Sequence, residues 1–218
     1  MRVNIGCGTT PTEGWLNLDN SLTVRLARRP VLLSGLQAAG LLSRQSLGLA
    51  VAARQENIRY ADAVRRIPCP DGSAEAVYSA HMIEHLDRGE ARRFLGEARR
   101  VLAPGGVLRL AVPDLWLLVH DYLSTRDADD FVLRTYLAWP RPAGLAARAR
   151  AAVAGPRHHL WMYDGPSLIR LLCRTGFADV AVAPPGETRI TDPGSLDLKE
   201  RLDESIYVEA VRPRGPRA

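Results

Sequence analysis

The chain is short of cysteine and has no long apolar run. Its three cysteines, Cys7, Cys69 and Cys173, are odd in number and widely spaced along 218 residues, which excludes a disulfide-stapled scaffold and is typical of reduced cytosolic thiols. No apolar segment approaches the roughly 20 residues of a membrane-spanning helix, and the first residues do not resemble a signal peptide. We therefore expect a cytoplasmic protein, with residues 1–218 forming one domain.

Lysine is almost absent as well, since every cationic residue except Lys199 is an arginine. The formal net charge is +5, and residues 21–55 and 132–163 each contain five arginines and no acidic residue. Three interpretations of these windows remain open: helices with arginine on an outer face, a pocket that pairs with an anionic acceptor, or attachment to an anionic membrane surface. The sequence contains no recognition motif for nucleic acid, so a nucleic-acid partner is not expected.

Hydrophobic strands alternate with helical segments through most of the chain. Segments 88–102 and 164–177 are amphipathic and carry capping residues, whereas residues 21–57 and 115–163 are expected to be irregular helical insertions. The expected strands are residues 2–6, 15–19, 58–63, 74–80, 107–114, 178–184 and 205–212. This alternation predicts a Rossmann-like, doubly wound α/β fold, in which a mostly parallel seven-stranded sheet has helices on both faces.

Ligands of such sheets lie beyond the carboxyl ends of the strands, where the strand order reverses. The turn after the first strand contains Gly6 and Gly8, which allow the backbone to approach a ligand closely. On its own this pattern also fits a plain turn, because the third glycine of the dinucleotide fingerprint is missing. Asp19, at the end of the second strand, is placed to accept both hydroxyls of a ribose, and Asp62 could accept from an adenine amino group.

Residues 81–85, HMIEH, match the H-x-x-E-H pattern of inverted zinc peptidases. In such a site both histidines lie on one helix and hold zinc, while the glutamate activates a water molecule. The strand AVYSA runs directly into His81, however, and leaves no room for the first turn of that helix. We therefore expect His81 at the tip of a strand and no metal ion.

Several segments of the chain follow one another at a recognisable spacing. They are VNIGCG, the acid Asp19, ADA, IPCPDGSAEAVYSAHMIEHL and RRVLAPGGVLRLAVPD, which together span residues 2–114. As a set they resemble the class I S-adenosylmethionine-dependent methyltransferases. The later segments HHLWMYDGPSLIRLLCRTGF and DESIYVEA resemble a subgroup of small methyltransferases often encoded beside glycosyltransferases. The resemblance implies an enzyme that uses S-adenosylmethionine and releases S-adenosylhomocysteine.

The resemblance also implies a role for each matching residue. The glycine turn lines the methionine portion of the cofactor, Asp19 holds the ribose, Asp62 with Ala63 contacts the adenine, and Ala80 with His81 lies beside the sulfonium. Only ten residues separate Gly8 from Asp19, so Trp15 and the PTEGW loop are expected to cap the cofactor in place of the usual first helix. The implied cofactor-binding residues are Asn4, Gly6, Cys7, Gly8, Trp15, Asp19, Asp62, Ala63, Ala80 and His81.

Methyl transfer from a sulfonium is an in-line displacement that needs alignment and, for some acceptors, a base. The candidate bases are His81, His158, His159 and Asp114, each of which could instead have a structural role. The loop at His158 and the two insertions are expected to form a lid over the acceptor. A small anionic acceptor is expected, methylated on a hydroxyl or, as the next alternatives, on an amine or a carboxylate. The subgroup resemblance favours a sugar or a specialised metabolite.

Two other functions remain open at this point. One is an S-adenosylmethionine-binding protein of the same fold that transfers no methyl group, suggested by the shortened connection after the glycine turn. The other is a nicotinamide oxidoreductase, against which the incomplete glycine fingerprint and the segment before His81 both argue. The sequence predicts no particular oligomeric state.

Overall fold

Seven strands form one sheet in the computed structural model, which describes residues 1–137, 143–145, 147–148 and 158–215. The strands are β1 (Arg2–Ile5), β2 (Leu16–Asp19), β3 (Arg59–Tyr60), β4 (Ala74–Ala80), β5 (Leu102–Pro113), β6 (Ala178–Val182) and β7 (Ser205–Val211). Their spatial order is β3-β2-β1-β4-β5-β7-β6. Strand β7 is antiparallel to both of its neighbours, and every other pair is parallel. The predicted mostly parallel seven-stranded architecture is confirmed.

The strand order reverses between β1 and β4, which are neighbours in space although β2 and β3 separate them in sequence. Ile5 pairs with Ser79, so the carboxyl ends of β1 and β4 lie side by side. Gly6 comes directly after the end of β1, and His81 comes directly after the end of β4. This is the crevice in which doubly wound sheets bind their ligands.

The described part of the chain contains α-helices and one short 3-10 turn at Ile83–His85. The helices are α1 (Leu22–Ala27), α2 (Pro30–Ala38), α3 (Arg44–Gln55), α4 (Arg88–Val101), α5 (Leu115–Thr125), α6 (Ala128–Arg134) and α7 (Gly165–Arg174). A capping box formed by Asp87 and Glu90 starts α4, and Asp164 caps α7 in the same way. None of the helices in this part of the chain has the length and apolar character needed to cross a bilayer.

The first arginine-rich window is three helices rather than one block, because Pro30 begins a new helix and Gly40 ends it in the left-handed region. Helices α1 and α3 pack their small apolar residues around Cys7, directly behind the glycine turn. Helix α2 has no buried residue. In the second window, Arg141, Arg150 and Arg157 lie outside the described residues.

The two faces of the sheet are covered differently. On one face α4 and α7 pack against alternate residues of the central strands, such as Val77 and Leu108, in the main core. On the other face, beside Tyr78, the residues between β6 and β7 form only turns and bends. A loop therefore covers the part of this face that lies beside Tyr78.

Candidate active site

The glycine turn is shaped by two residues with positive φ, Gly6 at +72° and Gly8 at +52°. The Gly6 N–H donates to the Leu18 carbonyl at 2.8 Å, and the Gly8 N–H donates to Asp19 Oδ2 at 3.1 Å. A Cβ on Gly8 would meet no atom within 4 Å. The turn thus presents open space beside a carboxylate, which fits the methionine and ribose portions of S-adenosylmethionine.

The Asp19 carboxylate is fixed by two hydrogen bonds and can accept more. Its Oδ1 accepts from the Ser21 N–H at 2.8 Å and its Oδ2 accepts from Gly8, so each oxygen keeps a lone pair for a ribose hydroxyl. The Ala61 N–H donates to the Asp19 carbonyl at 3.1 Å, which places Asp62 and the buried Ala63 on the same edge of the sheet. Asp62 accepts from the Val64 N–H at 3.1 Å. The structure therefore brings the predicted ribose and adenine residues together.

Asn4 and Cys7 face the protein rather than a ligand. The buried Asn4 side chain donates to Thr12 Oγ1 at 3.1 Å, which ties β1 to the loop before β2. Burial, reinforced by the charge of Asp19, raises the pKa of Cys7 to about 12, so this thiol stays protonated. Only the backbone of these two residues is available to contact a cofactor.

Trp15 does not cap the cofactor. It lies just before β2, at the amino end of the sheet, and packs with Tyr78, Ile190 and Leu196. Its Nε1–H donates to the Pro193 carbonyl at 3.2 Å. Because β1 and β2 are parallel, the connection between them must return to the amino edge, and the end of that connection lies a strand length away from the glycine turn.

His81 occupies the tip of β4, as predicted, next to the partly buried Ala80. Its backbone is in the left-handed region, with φ of 47°, and its N–H donates to the Ala111 carbonyl at 2.9 Å. The ring nitrogen Nε2 lies 2.8 Å from Ser205 Oγ. The other nitrogen, Nδ1, lies 3.4 Å from both Glu84 Oε1 and Arg201 Nη1. The imidazole is thus fixed at the switch point of the sheet.

The segment beginning at His158 is fastened to the 3-10 turn after β4. The N–H groups of Leu160 and Trp161 both donate to the Glu84 carbonyl, at 2.8 and 3.1 Å. The His85 ring nitrogen Nδ1 lies 3.0 Å from the His158 carbonyl oxygen, so this nitrogen carries the proton and donates. The backbone of His158 therefore orients His85.

His159 is the predicted histidine that the structure places most deeply. Its ring is 8% exposed and packs against His85 and Tyr136, with ring centroids 5.0 and 5.3 Å away. Nε2 lies 4.0 Å from Glu84 Oε1. Burial lowers the pKa of His159, although the charge of Glu84 opposes the shift. The imidazole is therefore uncharged near neutral pH.

A cavity of about 700 Å³ opens in front of these histidines. Helices α5 and α6 supply one wall, and the loop before β7 supplies two charged residues. The lining residues are Gln45, His85, Pro113, Leu118, Leu133, Arg134, Tyr136, His159, Arg201 and Glu204. Its size and mixed lining suit a small polar molecule.

Asp114 is not among the residues that line the cavity. It is the N-cap of α5, where Oδ1 accepts from the Trp116 N–H at 2.9 Å. Burial and the nearby charge of Asp164 raise the pKa of Asp114. The structure thus gives Asp114 a helix-capping role, and its catalytic role stays a prediction.

Sequence reasoning missed several residues of this site. Arg201 and Glu204 come from the charged stretch LKERLDES, which the resemblance to methyltransferases did not cover in full. Glu84 and His85 stand out in the sequence only as parts of the peptidase pattern. Nothing in their spacing signals that His159, more than seventy residues later in the chain, lies against them.

Substituting alanine for Gly6 is expected to reduce the free energy of unfolding by about 1–3 kcal/mol, because a side chain is strained at this φ. The added Cβ would also lie 2.9 Å from Met82 Cγ. Chemical denaturation measures the loss. Gly96→Ala in α4 is the matched control: with no atom within 4 Å of its Cβ, it should gain about 0.5–1 kcal/mol. Equal effects in the two variants would contradict the strained turn.

Comparison with known proteins supports the resemblance to methyltransferases. A family described as a methyltransferase domain matches residues 32–110. A search of curated proteins found no match. Two solved structures have the same fold, each over 97% of this chain. One is a methyltransferase from Thermotoga maritima described as a possible histamine N-methyltransferase, with 16% identity, 81% of its own chain covered and a TM-score of 0.52.

The other solved structure is an S-adenosylmethionine-dependent methyltransferase from Methanosarcina mazei, with 16% identity, 92% of its own chain covered and a TM-score of 0.50. At these identities the likeness concerns the fold. Together with the glycine turn and Asp19, it confirms the resemblance. The chain shares the fold of S-adenosylmethionine-dependent methyltransferases, its residues 32–110 match a methyltransferase domain, and S-adenosylmethionine is the cofactor that this domain and fold imply.

Proposed function

We propose that the protein is an enzyme that moves a methyl group from S-adenosylmethionine to a hydroxyl oxygen of a small acceptor. The observation that carries this proposal is the position of His81 between the two parts of the site. The adjacent Met82 contacts the glycine turn, since a Cβ on Gly6 would lie 2.9 Å from its Cγ. On the other side Arg201, a cavity residue, has Nη1 3.4 Å from His81 Nδ1. The cofactor turn and the cavity therefore adjoin.

When bound, the cofactor supplies an electrophilic methyl group: the acceptor oxygen provides the electron pair of the new C–O bond, the S–C pair stays on sulfur, and the acceptor proton is released. The chain's residues position the partners. Asp19 and the glycine turn hold the ribose and methionine portions, and Asp62 with Ala63 holds the adenine. His159, uncharged on the cavity wall, presents a nitrogen lone pair to the acceptor side.

The charge of the cavity bears on the kind of acceptor. Arg134 and Arg201 both line it, which supports an acceptor with an anionic or oxygen-rich group. Each guanidinium already has a carboxylate partner, since Arg134 lies 2.9 Å from Asp121 and Arg201 lies 3.4 Å from Glu204. The arginines are thus held in place with N–H groups to spare, and they favour hydrogen bonding to a hydroxylated acceptor, such as a sugar, over net charge attraction.

We expect His159→Ala to lower kcat by about 100-fold or more, the range that a group acting on the transferred proton contributes. S-adenosylhomocysteine affinity should stay unchanged, because His159 lies on the cavity side of the site. The rate of the unmodified enzyme should fall with acid only below pH 6.5, the ordinary pKa of histidine, because burial lowers the pKa of His159. Steady-state kinetics across pH with the methylated product quantified would measure both effects.

His120→Ala is the matched control, because His120 is exposed on α5, and it should leave kcat unchanged. His158→Ala should have a smaller effect than His159→Ala, since its carbonyl, which orients His85, is retained. Unchanged turnover in both His158→Ala and His159→Ala would remove this segment from the chemistry.

The function itself is tested by incubating the protein with isotopically methyl-labelled cofactor and a panel of small hydroxylated acceptors, including sugars and hydroxy acids. Labelled methyl ether with stoichiometric S-adenosylhomocysteine is the expected result. Label on nitrogen would correct the acceptor atom. Tight cofactor binding without transfer to any acceptor would favour a binding protein of the same fold.

A further inference from the structure

Glu84 has a buried carboxylate without hydrogen bonds from the described residues. Its side chain is fully buried, and neither carboxylate oxygen has a hydrogen-bond partner among the described residues. Among the described residues, two histidine nitrogens lie within 4.0 Å of Oε1: His81 Nδ1 at 3.4 Å and His159 Nε2 at 4.0 Å. Buried carboxylates in proteins are paired, protonated or bound to a metal ion, because an isolated buried charge is very costly. A bound metal ion is one way in which the buried carboxylate of Glu84 could be stabilised.

Two imidazoles stand beside this carboxylate. Glu84, His85 and His159 each offer one ligand atom, and these atoms all lie within 4.8 Å of one another. Ligands bound to one ion at about 2.1 Å in a tetrahedral site lie roughly 3.4 Å apart. Small side-chain movements would therefore close the three atoms around an ion.

The surroundings of the two histidines suit metal binding. The Nδ1–H of His85 donates to the His158 carbonyl at 3.0 Å, which leaves the lone pair on Nε2. A backbone carbonyl holding the far nitrogen is the usual outer contact of a metal-bound histidine. His159 turns Nε2 toward Glu84, while its Nδ1 lies 3.2 Å from Met162 Sδ. The segment that carries His159 is itself pinned to the Glu84 carbonyl.

Three protein ligands leave coordination positions open, as in catalytic rather than structural metal sites. His85 and His159 line the 700 Å³ cavity, so the open positions face the space proposed for the acceptor. Two imidazoles with one carboxylate suit divalent first-row transition metals such as Zn²⁺, Mn²⁺ or Fe²⁺ better than Ca²⁺ or Mg²⁺, which prefer oxygen ligands throughout.

We propose that Glu84, His85 and His159 bind a divalent transition-metal ion whose open positions hold the acceptor through two neighbouring oxygens. The acceptor part of this inference rests on the proposed methyl transfer, whereas the metal part stands alone. An ion of charge +2 with one carboxylate ligand keeps a net positive charge, which attracts a hydroxyl next to a second hydroxyl or a carboxylate. It also favours loss of the hydroxyl proton to solvent, which leaves the oxygen electron pair free to attack the methyl carbon. With the ion bound, His159 acts on this proton through the ion, in place of the direct role that it has in the metal-free site.

This site gives the HMIEH letters a different meaning from that of a peptidase. The five residues lie on a strand tip and a 3-10 turn, not on a continuous helix. Glu84 is a ligand here rather than a free base, and the remaining ligand comes from the distant segment at His159. The expectation of no metal ion, which followed from the helix requirement alone, is replaced by this proposal.

The metal part is tested by calorimetric titration of chelator-treated protein with ZnCl₂ and with MnCl₂. One ion per chain is expected, and Glu84→Gln and His159→Gln should each weaken binding by about 100-fold or more, since even outer contacts of a metal cost 10- to 100-fold. His120→Gln, which removes an exposed histidine, should bind as the unmodified protein does. Equal affinity in Glu84→Gln and the unmodified protein would overturn the site.

Thermal unfolding checks that the variants fold. Metal-free Glu84→Gln should melt at or above the temperature of metal-free unmodified protein, because it removes an unpartnered buried charge. Added metal should raise the melting temperature of the unmodified protein alone. A similar rise in Glu84→Gln would place the ion elsewhere on the chain and reject the proposal.

Cobalt substitution reads out the acceptor part without turnover. The visible absorption of bound Co²⁺ should change when a hydroxy acid or vicinal diol occupies the cavity, and an unchanged spectrum across such compounds would reject acceptor coordination. Methyl transfer that proceeds equally with a chelator present would overturn a catalytic metal and leave the methyltransferase function standing. Stoichiometric metal binding without any methyl transfer would support the metal site and contradict the methyltransferase function.

Discussion

Asp19→Ala is expected to weaken the binding of S-adenosylhomocysteine by about 100-fold or more, since hydrogen bonds to a charged group contribute about 1.5–3 kcal/mol each and 1.4 kcal/mol is tenfold in affinity. The carboxylate is fixed between the N–H groups of Gly8 and Ser21, at 3.1 and 2.8 Å. Both oxygens retain a lone pair for a ribose hydroxyl. Calorimetric titration of the purified variants with S-adenosylhomocysteine measures the change.

Two further variants separate the ribose contact from general damage to the fold. Asp19→Asn keeps one acceptor oxygen and the side-chain volume, so its loss of affinity should be intermediate. Asp71→Ala removes a carboxylate that is 74% exposed and pairs with Arg100, on the amino side of β4, and should bind the ligand normally. Unchanged affinity in Asp19→Ala would mean that the ribose is held by another group.

Glu209→Ala is expected to lower the free energy of unfolding by about 3–5 kcal/mol, the usual cost of leaving a buried charge without its partner. Glu209 and Arg109 are both buried, and Arg109 Nη1 lies 2.9 Å from Glu209 Oε1. Glu209 also accepts from Thr188 Oγ1 at 2.6 Å and from the Arg189 N–H at 2.9 Å. Arg109 also donates to the Glu187 carbonyl at 2.8 Å. The pair of Arg109 and Glu209 therefore holds the loop before β7 against the sheet.

Denaturant titration at pH 7 measures this loss, with Glu75→Ala as the matched control. Glu75 is also a strand glutamate that pairs with an arginine, but its side chain is 62% exposed, and exposed pairs contribute at most about 1 kcal/mol. A loss in Glu209→Ala no larger than in Glu75→Ala would show that the buried pair adds nothing.

The pH dependence gives a second check on the pair. Burial alone would raise the pKa of Glu209, but hydrogen bonds from Thr188, Arg189 and Arg109 outweigh it and lower the pKa below its ordinary value of 4.5. The folded state therefore gains stability from this carboxylate above pH 4.5 and loses it as the pH falls through the lower folded pKa. The stability of Glu209→Ala should fall less steeply over that acidic range.

Helix and strand positions followed from the sequence wherever the chemistry is local. The strands at VNI, LNLD and AEAVYSA are runs of apolar residues that end at turns, and their order in the chain carries enough information for a parallel sheet. The boundaries that were missed have local causes. β3 is only two residues long because its sequence soon enters an Asx turn at Asp62.

Trp15 shows where proximity in sequence misled the prediction. It lies only seven residues after Gly8, so it was expected to cover a ligand in the glycine turn. A parallel strand pair requires the intervening chain to travel back to the opposite edge of the sheet. The cluster that receives Trp15 is built partly from Ile190 and Leu196, which the sequence placed in no element.

By itself the sequence determined the type of sheet, the glycine turn and the acid at the end of β2, because each depends on residues that are neighbours in the chain. Only the tertiary structure decided the rest of the site. Glu84 and His159 meet because the last residues of the second insertion pair their backbone with the 3-10 turn. Such contacts join distant parts of the chain through backbone groups that nearly every residue possesses. No pattern of side chains in the sequence therefore predicts them.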